Sequence, residues 1–485
     1  MRTRTRSYAR LEGSAVGRPD VLLQRSSGPK RRCPGPFVVT SSGTVAGAAD
    51  GAGTETRIAA FDFSFSDGAD QVLLEGTAVY PTRSSRLRQA ATVVRPVIGG
   101  SGACARARGW AVSRPNADNT WTHVFRLQPQ ARAGAGSASR PAGIVGSMGL
   151  GFGLLSAQLR PGETGWTRAY DETIRLAVDA ERLGFASVWT TEHHFVDDGY
   201  MPSLLVVSAA IAQATSRIEI GTGVVLAPMH HPLRLAEDAA TVQLLSHGRL
   251  VLGLGLGWSG VEFAGLGADP RRRGAAMDEI LEILPQAWSG EPFTHHGAVY
   301  DLPELAVRPT PPSRIPILIG GGAERAIRRA ARLADGIFAS VPAAEFAQQV
   351  HWVLDECERV GRDPSTFRFV HYSVLLPGAT REGALSQYAE ALWAMQWKYS
   401  DMEASATRPL PAAVPPVRNR PLEDLVTGRA TYAGPPDDLV EALLAIRAQA
   451  GVPVELVARS HFPLLEYGEQ LELMHHLADG VASRL

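Results

Sequence analysis

Between residues 144 and 485 the chain repeats one rhythm eight times: a short, continuously apolar run, then an amphipathic stretch of helical period. The apolar runs fall at 149–155, 187–191, 218–226, 250–256, 316–320, 336–340, 367–374 and 454–458. The amphipathic stretches after them occupy 166–184, 202–214, 233–245, 271–288, 324–333, 344–360, a region from Arg381, and 467–482. A strand with one wet face alternates apolar and polar side chains. These runs do not alternate, which is the pattern of parallel strands buried on both faces. Eight such units predict an α/β fold, a (β/α)8 TIM barrel; a doubly wound open sheet shares the rhythm. Two stretches interrupt it, 291–312 and 399–429, the second holding Arg408-Pro-Leu-Pro-Ala-Ala-Val-Pro-Pro416. Long loops inside a compact domain are lids over a site or disordered segments.

The 485 residues exceed what one ordinary core uses, and composition divides the remainder. Residues 1–53 are rich in Arg, Ser, Gly and Pro without periodicity, and read as a disordered basic tail. Within residues 1–32 the acids are Glu12 and Asp20 alone, a pattern that a transit peptide or a nucleic-acid arm would share. Residues 54–128 turn β-rich, with runs at 57–65, 71–80, 91–97 and 121–127 punctuated by Gly, Asp, Asn and Ser. Residues 129–143 read as a flexible linker. The run Val97-Ile-Gly-Gly-Ser-Gly102, Ala107-Arg-Gly109 and Asn119-Thr-Trp-Thr-His-Val-Phe125 resembles the allene oxide cyclase/dirigent barrels, which implies a small barrel-like β region. A net charge of −1 gives no sign of a nucleic-acid partner, and no apolar run approaches the ~20 residues that span a bilayer. Cys33, Cys104 and Cys357 are isolated and odd in number, neither a disulfide framework nor a zinc cluster. The expectation is a reduced, cytoplasmic protein without membrane attachment.

Three short elements could carry chemistry. Glu192-His193-His194 stands where the second apolar run ends. A carboxylate and two imidazoles there are poor packing material, and in a barrel this is the rim where loops build active sites. A histidine at that rim could move protons, or it could simply hold the loop. A metal is not expected, because adjacent ligands converge poorly. Gly221-Thr222-Gly223-Val224 ends the third run with small residues that would admit a flat ring, or serve tight packing. Gly320-Gly321-Gly322-Ala323 opens a helix after the fifth run, where free backbone N–H groups make an anion site or merely a turn.

The stretch 144–485 resembles the luciferase-like monooxygenase family, the flavin-dependent oxidoreductases related to bacterial luciferase. The resemblance is carried by Ala180-Glu-Arg-Leu-Gly-Phe-Ala-Ser-Val-Trp189 with Glu192-His-His-Phe195, and by Gly221-Thr-Gly-Val-Val225. It continues in His231-Pro-Leu-Arg-Leu-Ala-Glu-Asp238, Leu245-Ser-His-Gly-Arg-Leu-Val-Leu-Gly-Leu-Gly255, Pro316-Ile-Leu-Ile-Gly-Gly321 and Ala330-Ala-Arg-Leu-Ala-Asp-Gly336. It implies that His193 is the catalytic histidine beside the flavin, with Glu192 supporting it and His194 structural. It implies that 221–224 lies against the flavin ring with a cis peptide at Gly223-Val224, and that 320–323 holds its phosphate. Leu256 departs from the family at an arginine that binds phosphate, which throws that load onto the 321–323 amides, with Arg325 or Arg328. Phe195, Met201, Leu226, Met229 and Trp258 would line a pocket or form core, while Trp258 and Glu262 fall near the rim without an assigned role. The implied activity is oxidation of a small substrate, aldehyde-like for example, by O2 and reduced FMN from a separate flavin reductase, in a homodimer. An F420-dependent oxidoreductase on the same barrel and a non-catalytic flavin-binding or interaction protein are the alternatives.

Overall fold

The computed structural model describes residues 149–485 apart from 409–410, together with nine strands between Ser14 and Leu127. Two compact units divide at residues 138 and 139. The 129–143 linker and most of the 1–53 tail lie outside the described residues.

In the first unit, Thr54–Phe65, Asp70–Pro81, Val93–Ser101, Gly109–Pro115 and Trp121–Leu127 pair antiparallel in sequence order. Four of these match the β-rich runs; Gly109–Pro115 is a strand the pattern did not single out. Strand Phe37–Thr44 corrects the expectation of a wholly disordered tail, pairing antiparallel with Thr54–Phe65. Its Val38-Val39-Thr40 run has β-branched strand propensity, which overall composition hides. The short segments Ser14–Gly17, Leu22–Leu23 and Arg31–Arg32 also join the sheet.

The second unit is built from the eight apolar runs. They form strands β1 Leu150–Leu155, β2 Ser187–Thr190, β3 Glu219–Thr222, β4 Leu250–Gly255, β5 Ile317–Gly320, β6 Gly336–Ala339, β7 Arg368–Pro377 and β8 Val454–Arg459. Each pairs parallel with its successor, as in Val188 with Ile220 and Ile337 with Phe369. Pairing of β8 with β1 closes the ring, so this is a (β/α)8 barrel and not an open sheet. Inside it, Leu154, Trp189, Val251, Leu318, Phe338, Val370 and Val457 form one buried cluster. Trp189, Phe338 and Tyr372 stack in sequence, their ring centroids 4.5 Å apart at each step. A larger cluster fills the space between the strands and the outer helices. Each fully buried Leu, Ile or Val in it contributes about 1.5–3 kcal/mol.

The helices are α1 Trp166–Leu183, α2 Leu204–Ala214, α3 Pro232–Leu245, the short α4 Gly260–Gly265, α5 Arg273–Ser289, α6 Glu324–Leu333, α7 Ala343–Val360, α8 Arg381–Ser405, α9 Pro436–Ala450 and α10 Tyr467–Gly480. Helix α1 shows how the sequence sets such an element. It buries Thr173, Leu176, Ala177 and Ala180 at helical spacing, and Gly184 (φ +86°) ends it with its N–H on the Ala180 and Glu181 carbonyls. Both expected interruptions hold structure. Phe293–His296 and Asp301–Leu305 make an antiparallel hairpin in the first. In the second, α8 runs on to Ser405 and Leu422–Leu425 form a 3-10 turn; just beyond it Thr431–Gly434 pairs with β7.

Candidate active site

The C-terminal ends of the strands bring Glu192, His193 and His194 to the mouth of the barrel, all three enclosed. His194 Nε2 lies 4.0 Å from Glu192 Oε1, whereas His193 turns away to Glu262. The expected support of His193 by Glu192 is therefore corrected. Glu192 Oε1 accepts the Leu226 N–H at 2.7 Å and meets His230 Nε2 at 3.2 Å. It anchors the loop after β3.

The partner of His193 is Glu262, whose Oε1 lies 2.9 Å from His193 Nδ1 and accepts the His194 N–H at 2.8 Å. Helix α4 carries Glu262, which is 2% exposed. Ser259-Gly-Val-Glu262 has the spacing of a helix capping box, in which the glutamate would turn back to its own helix. No side-chain cap forms, and the carboxylate reaches across to the β2 loop instead. With Nδ1–H donated to a carboxylate, His193 Nε2 is left as a proton acceptor at the mouth. Around the ring stand Tyr200, Tyr399 and Trp258, at centroid distances of 4.8, 5.7 and 6.0 Å.

His194 Nε2 and Glu262 Oε2 are buried without hydrogen-bond partners among the described residues. Burial holds the His194 pKa below the ordinary histidine value. Burial also opposes protonation of His230, yet the bond to Glu192 and the charges of Glu192 and Asp238 together outweigh it and raise that pKa. The ligating atoms of Glu192, His194 and His230 lie within 4.8 Å of one another, close enough to share a metal ion. Adjacent ligands at 192–194 alone would converge poorly, but the β3 loop supplies His230 from 38 residues away.

The peptide Gly223-Val224 is cis, and so is Gly153-Leu154 beside it, which the sequence did not suggest. The 221–224 segment divides in role. A Cβ on Gly221 would fall 2.3 Å from the Trp189 ring, so that glycine packs against the barrel core. Thr222 Oγ1 exchanges hydrogen bonds with both Gly253 O and Gly253 N, locking β3 to β4. Val224 stands over Gly255 and Gly320, where a Cβ would meet it at 2.4 and 2.7 Å. Gly321 (φ +147°), Gly322 and Ala323 are exposed, and Ala323 caps α6 without a side-chain bond, leaving the helix's first amides for an anion. Arg328 is committed to Glu324 and Glu356, while Arg325 is exposed at the start of α6. Met201, Leu226 and Met229 are buried core, whereas Phe195 and Trp258 are 45% and 46% exposed.

Two loops close the opposite side of the mouth. Lys398 of α8, 5% exposed, pairs with Asp197, with Asp198 at 3.3 Å and with Asp401 at 3.5 Å. Arg408 pairs with Asp401, and the Ala413 N–H donates to Asp197 at 2.9 Å. The loop after β2 and the stretch after α8, distant in sequence, are thereby one body.

Residues 150–453 match the family model for luciferase-like monooxygenase. The chain belongs to that family. Among curated relatives of this luciferase-like chain is the oxygenase component of a flavin-dependent trigonelline monooxygenase from Acinetobacter baylyi. It is 33% identical over 144 residues, 29% of this chain and 40% of that protein. An F420-dependent glucose-6-phosphate dehydrogenase from Kineococcus radiotolerans is 32% identical over 199 residues, 39% of this chain and 55% of that one. The chain thus spans about half the length of the curated relatives it matches. The crystal structure of monooxygenase RslO1 from Streptomyces bottropensis superposes with a TM-score of 0.59 at 22% identity, over 68% of this chain and 98% of that one, and shares the fold. One curated relative is thus named as F420-dependent, and a solved structure that shares the fold at 20% identity, over 69% of this chain with a TM-score of 0.56, is described as in complex with FMN. Among the described residues no helix is long and apolar enough to cross a membrane.

Proposed function

We propose that the protein is a flavin-dependent monooxygenase that oxidises a small organic substrate with O2 and reduced FMN. The observation that carries this reading is the His193–Glu262 pair, which fixes one ring nitrogen and leaves the other at the mouth of the barrel. The residues around it fit a flavin: a phosphate cradle at Gly321–Ala323, small residues beneath Val224, and two orphaned buried polar atoms, His194 Nε2 and Glu262 Oε2. A bound reduced flavin supplies the electrons for O2 chemistry. His193 Nε2 takes or returns a proton at the reacting centre, Glu262 holds its tautomer, and Glu192 fixes the β3 loop. Trp258, Tyr200 and Tyr399 exclude water. The reading includes a separate flavin reductase, a homodimer and a cytoplasmic setting; a relative named as an oxygenase component supports the reductase.

F420-dependent hydride transfer is the second reading, favoured by the F420-dependent dehydrogenase among the relatives. Titration with reduced FMN and with reduced F420, followed by fluorescence, separates the two. Tight binding of reduced FMN and substrate-dependent O2 uptake with a flavin reductase are expected. Failure to bind reduced FMN, with no O2 uptake across a substrate panel, sinks the proposal.

A further inference from the structure

Among the described residues one arginine at the mouth has no carboxylate partner. Strand β8 directs Val457 into the barrel interior, and Arg459, two residues on, shares that side one layer higher at the mouth. Arg459 lines a pocket open to solvent, with Ser156, Tyr200, Lys398, Tyr399 and His461. Lys398 in the same wall is neutralised by Asp197, Asp198 and Asp401. Asp198, also on the wall, is taken up by Lys398, by Gln158 Nε2 at 2.8 Å and by the Tyr200 N–H at 3.1 Å. Arg459 forms no ion pair among the described residues; one of its five N–H donors reaches Tyr399 Oη at 2.8 Å.

Arg459 is half-buried, and a guanidinium drawn partly out of water without a counter-charge is left under-solvated. The rings of Tyr399 and Tyr372, 5.3 and 6.0 Å from its Cζ, return part of that loss as cation–π attraction. Burial pushes the Tyr200 and Tyr372 hydroxyls above the ordinary tyrosine range, so neither offers a phenolate at neutral pH. The charge is therefore held ready for an anion that the protein itself does not supply.

We propose that Arg459 receives the carboxylate of the substrate, which makes the substrate an organic acid; this rests on the active-site reading above. A carboxylate matches the planar fork of the guanidinium, whereas a phosphate dianion would call for a second unpaired cation that this wall lacks. The phosphate cradle at Gly321–Ala323 follows β5, three strands from β8 around the ring, so the two anion sites stand apart. Tyr399 links Arg459 to the catalytic side: it bonds the guanidinium and sets its ring edge-on to His193 at 5.7 Å. Tyr200 and Tyr399, which line the same pocket as Arg459, also flank the His193 ring, at 4.8 and 5.7 Å.

The test is binding of benzoate, benzamide and benzyl phosphate to the full chain and its R459K and R459M variants, by calorimetry. Reduced FMN and reduced F420 are titrated in parallel. Benzoate is expected to bind wild type at least ~10-fold more tightly than benzamide, with the preference partly kept in R459K and lost in R459M. Thermal melts of R459K and R459M within a few degrees of wild type accompany that result. Equal binding of benzoate and benzamide by wild type overturns the proposal, as does a preference for benzyl phosphate. So does an R459M variant that keeps the benzoate preference but loses reduced cofactor, which would make Arg459 a partner of the flavin ring. If neither cofactor binds while the benzoate preference follows Arg459, the carboxylate site stands and the monooxygenase reading falls.

Discussion

Replacing Glu262 by Gln tests the pair on which the proposed chemistry depends. Both side chains are enclosed, His193 at 6% and Glu262 at 2% exposure, so their 2.9 Å contact is a charge-assisted bond shielded from water. Such a bond is worth about 1.5–3 kcal/mol, or about 10- to 150-fold in the tautomer that leaves Nε2 free. Gln keeps the volume and one oxygen, so the His194 N–H at 2.8 Å retains an acceptor and the fold should hold. What changes is the bias at Nδ1, because an amide can donate there as readily as it accepts. Selective 15N-histidine labelling reads the tautomer directly, with His193 assigned by its loss in H193Q. Wild type should show a protonated Nδ1 and E262Q a mixture, with turnover reduced about 10- to 150-fold and cofactor affinity within twofold. An unchanged tautomer with unchanged turnover refutes the pairing. A fall in cofactor affinity that matches the fall in turnover makes Glu262 part of the cofactor site.

Ala323→Asp should strengthen the cap of α6 by about 0.5–2 kcal/mol while repelling a phosphate from the same amides. Thermal melts should rise as FMN binding weakens and riboflavin binding stays level; equal loss of both ligands would place the phosphate elsewhere. Lys398→Met leaves Asp197 and Asp401 to share Arg408 and Asp198 with no cation, and removal of one buried partner costs about 3–5 kcal/mol. Denaturant unfolding should show that loss, and limited proteolysis should open both loops together. Burial pushes the His371 pKa down to about 4, so the fold favours the neutral ring. Its contribution is complete above the unfolded value near 6.5 and is lost as pH falls toward 4, on the order of 3 kcal/mol. A His371→Gln variant should show a flatter stability profile across that window.

The barrel was legible because periodicity is a local signal. Each strand buries both faces, so its apolar run needs no knowledge of its neighbours, and Gly184 and Gly290 mark helix ends by the left-handed conformation they adopt. His193 was legible for a related reason: polar side chains at the end of an apolar run must have a use. Its partner was not. Glu262 lies 69 residues away inside a spacing that reads as a capping box, and only the closure of β2 beside β4 through β3 shows which way the carboxylate turns. The same holds for His230 beside Glu192, for Gly221 beneath Trp189, and for Arg459, where a strand's last residue gives no hint of the charge around it.

What the sequence determined alone was the order and kind of the elements, the rim that bears the chemistry, and the cis peptide at Gly223-Val224 through its family resemblance. Tertiary structure decided the pairings: Glu262 with His193, Glu192 with the β3 loop, and Asp197 and Asp198 with Lys398. Elements follow from interactions a few residues apart. Pairings depend on how a closed ring of eight strands orients side chains tens to hundreds of residues apart, and on which of them burial forces to find a partner.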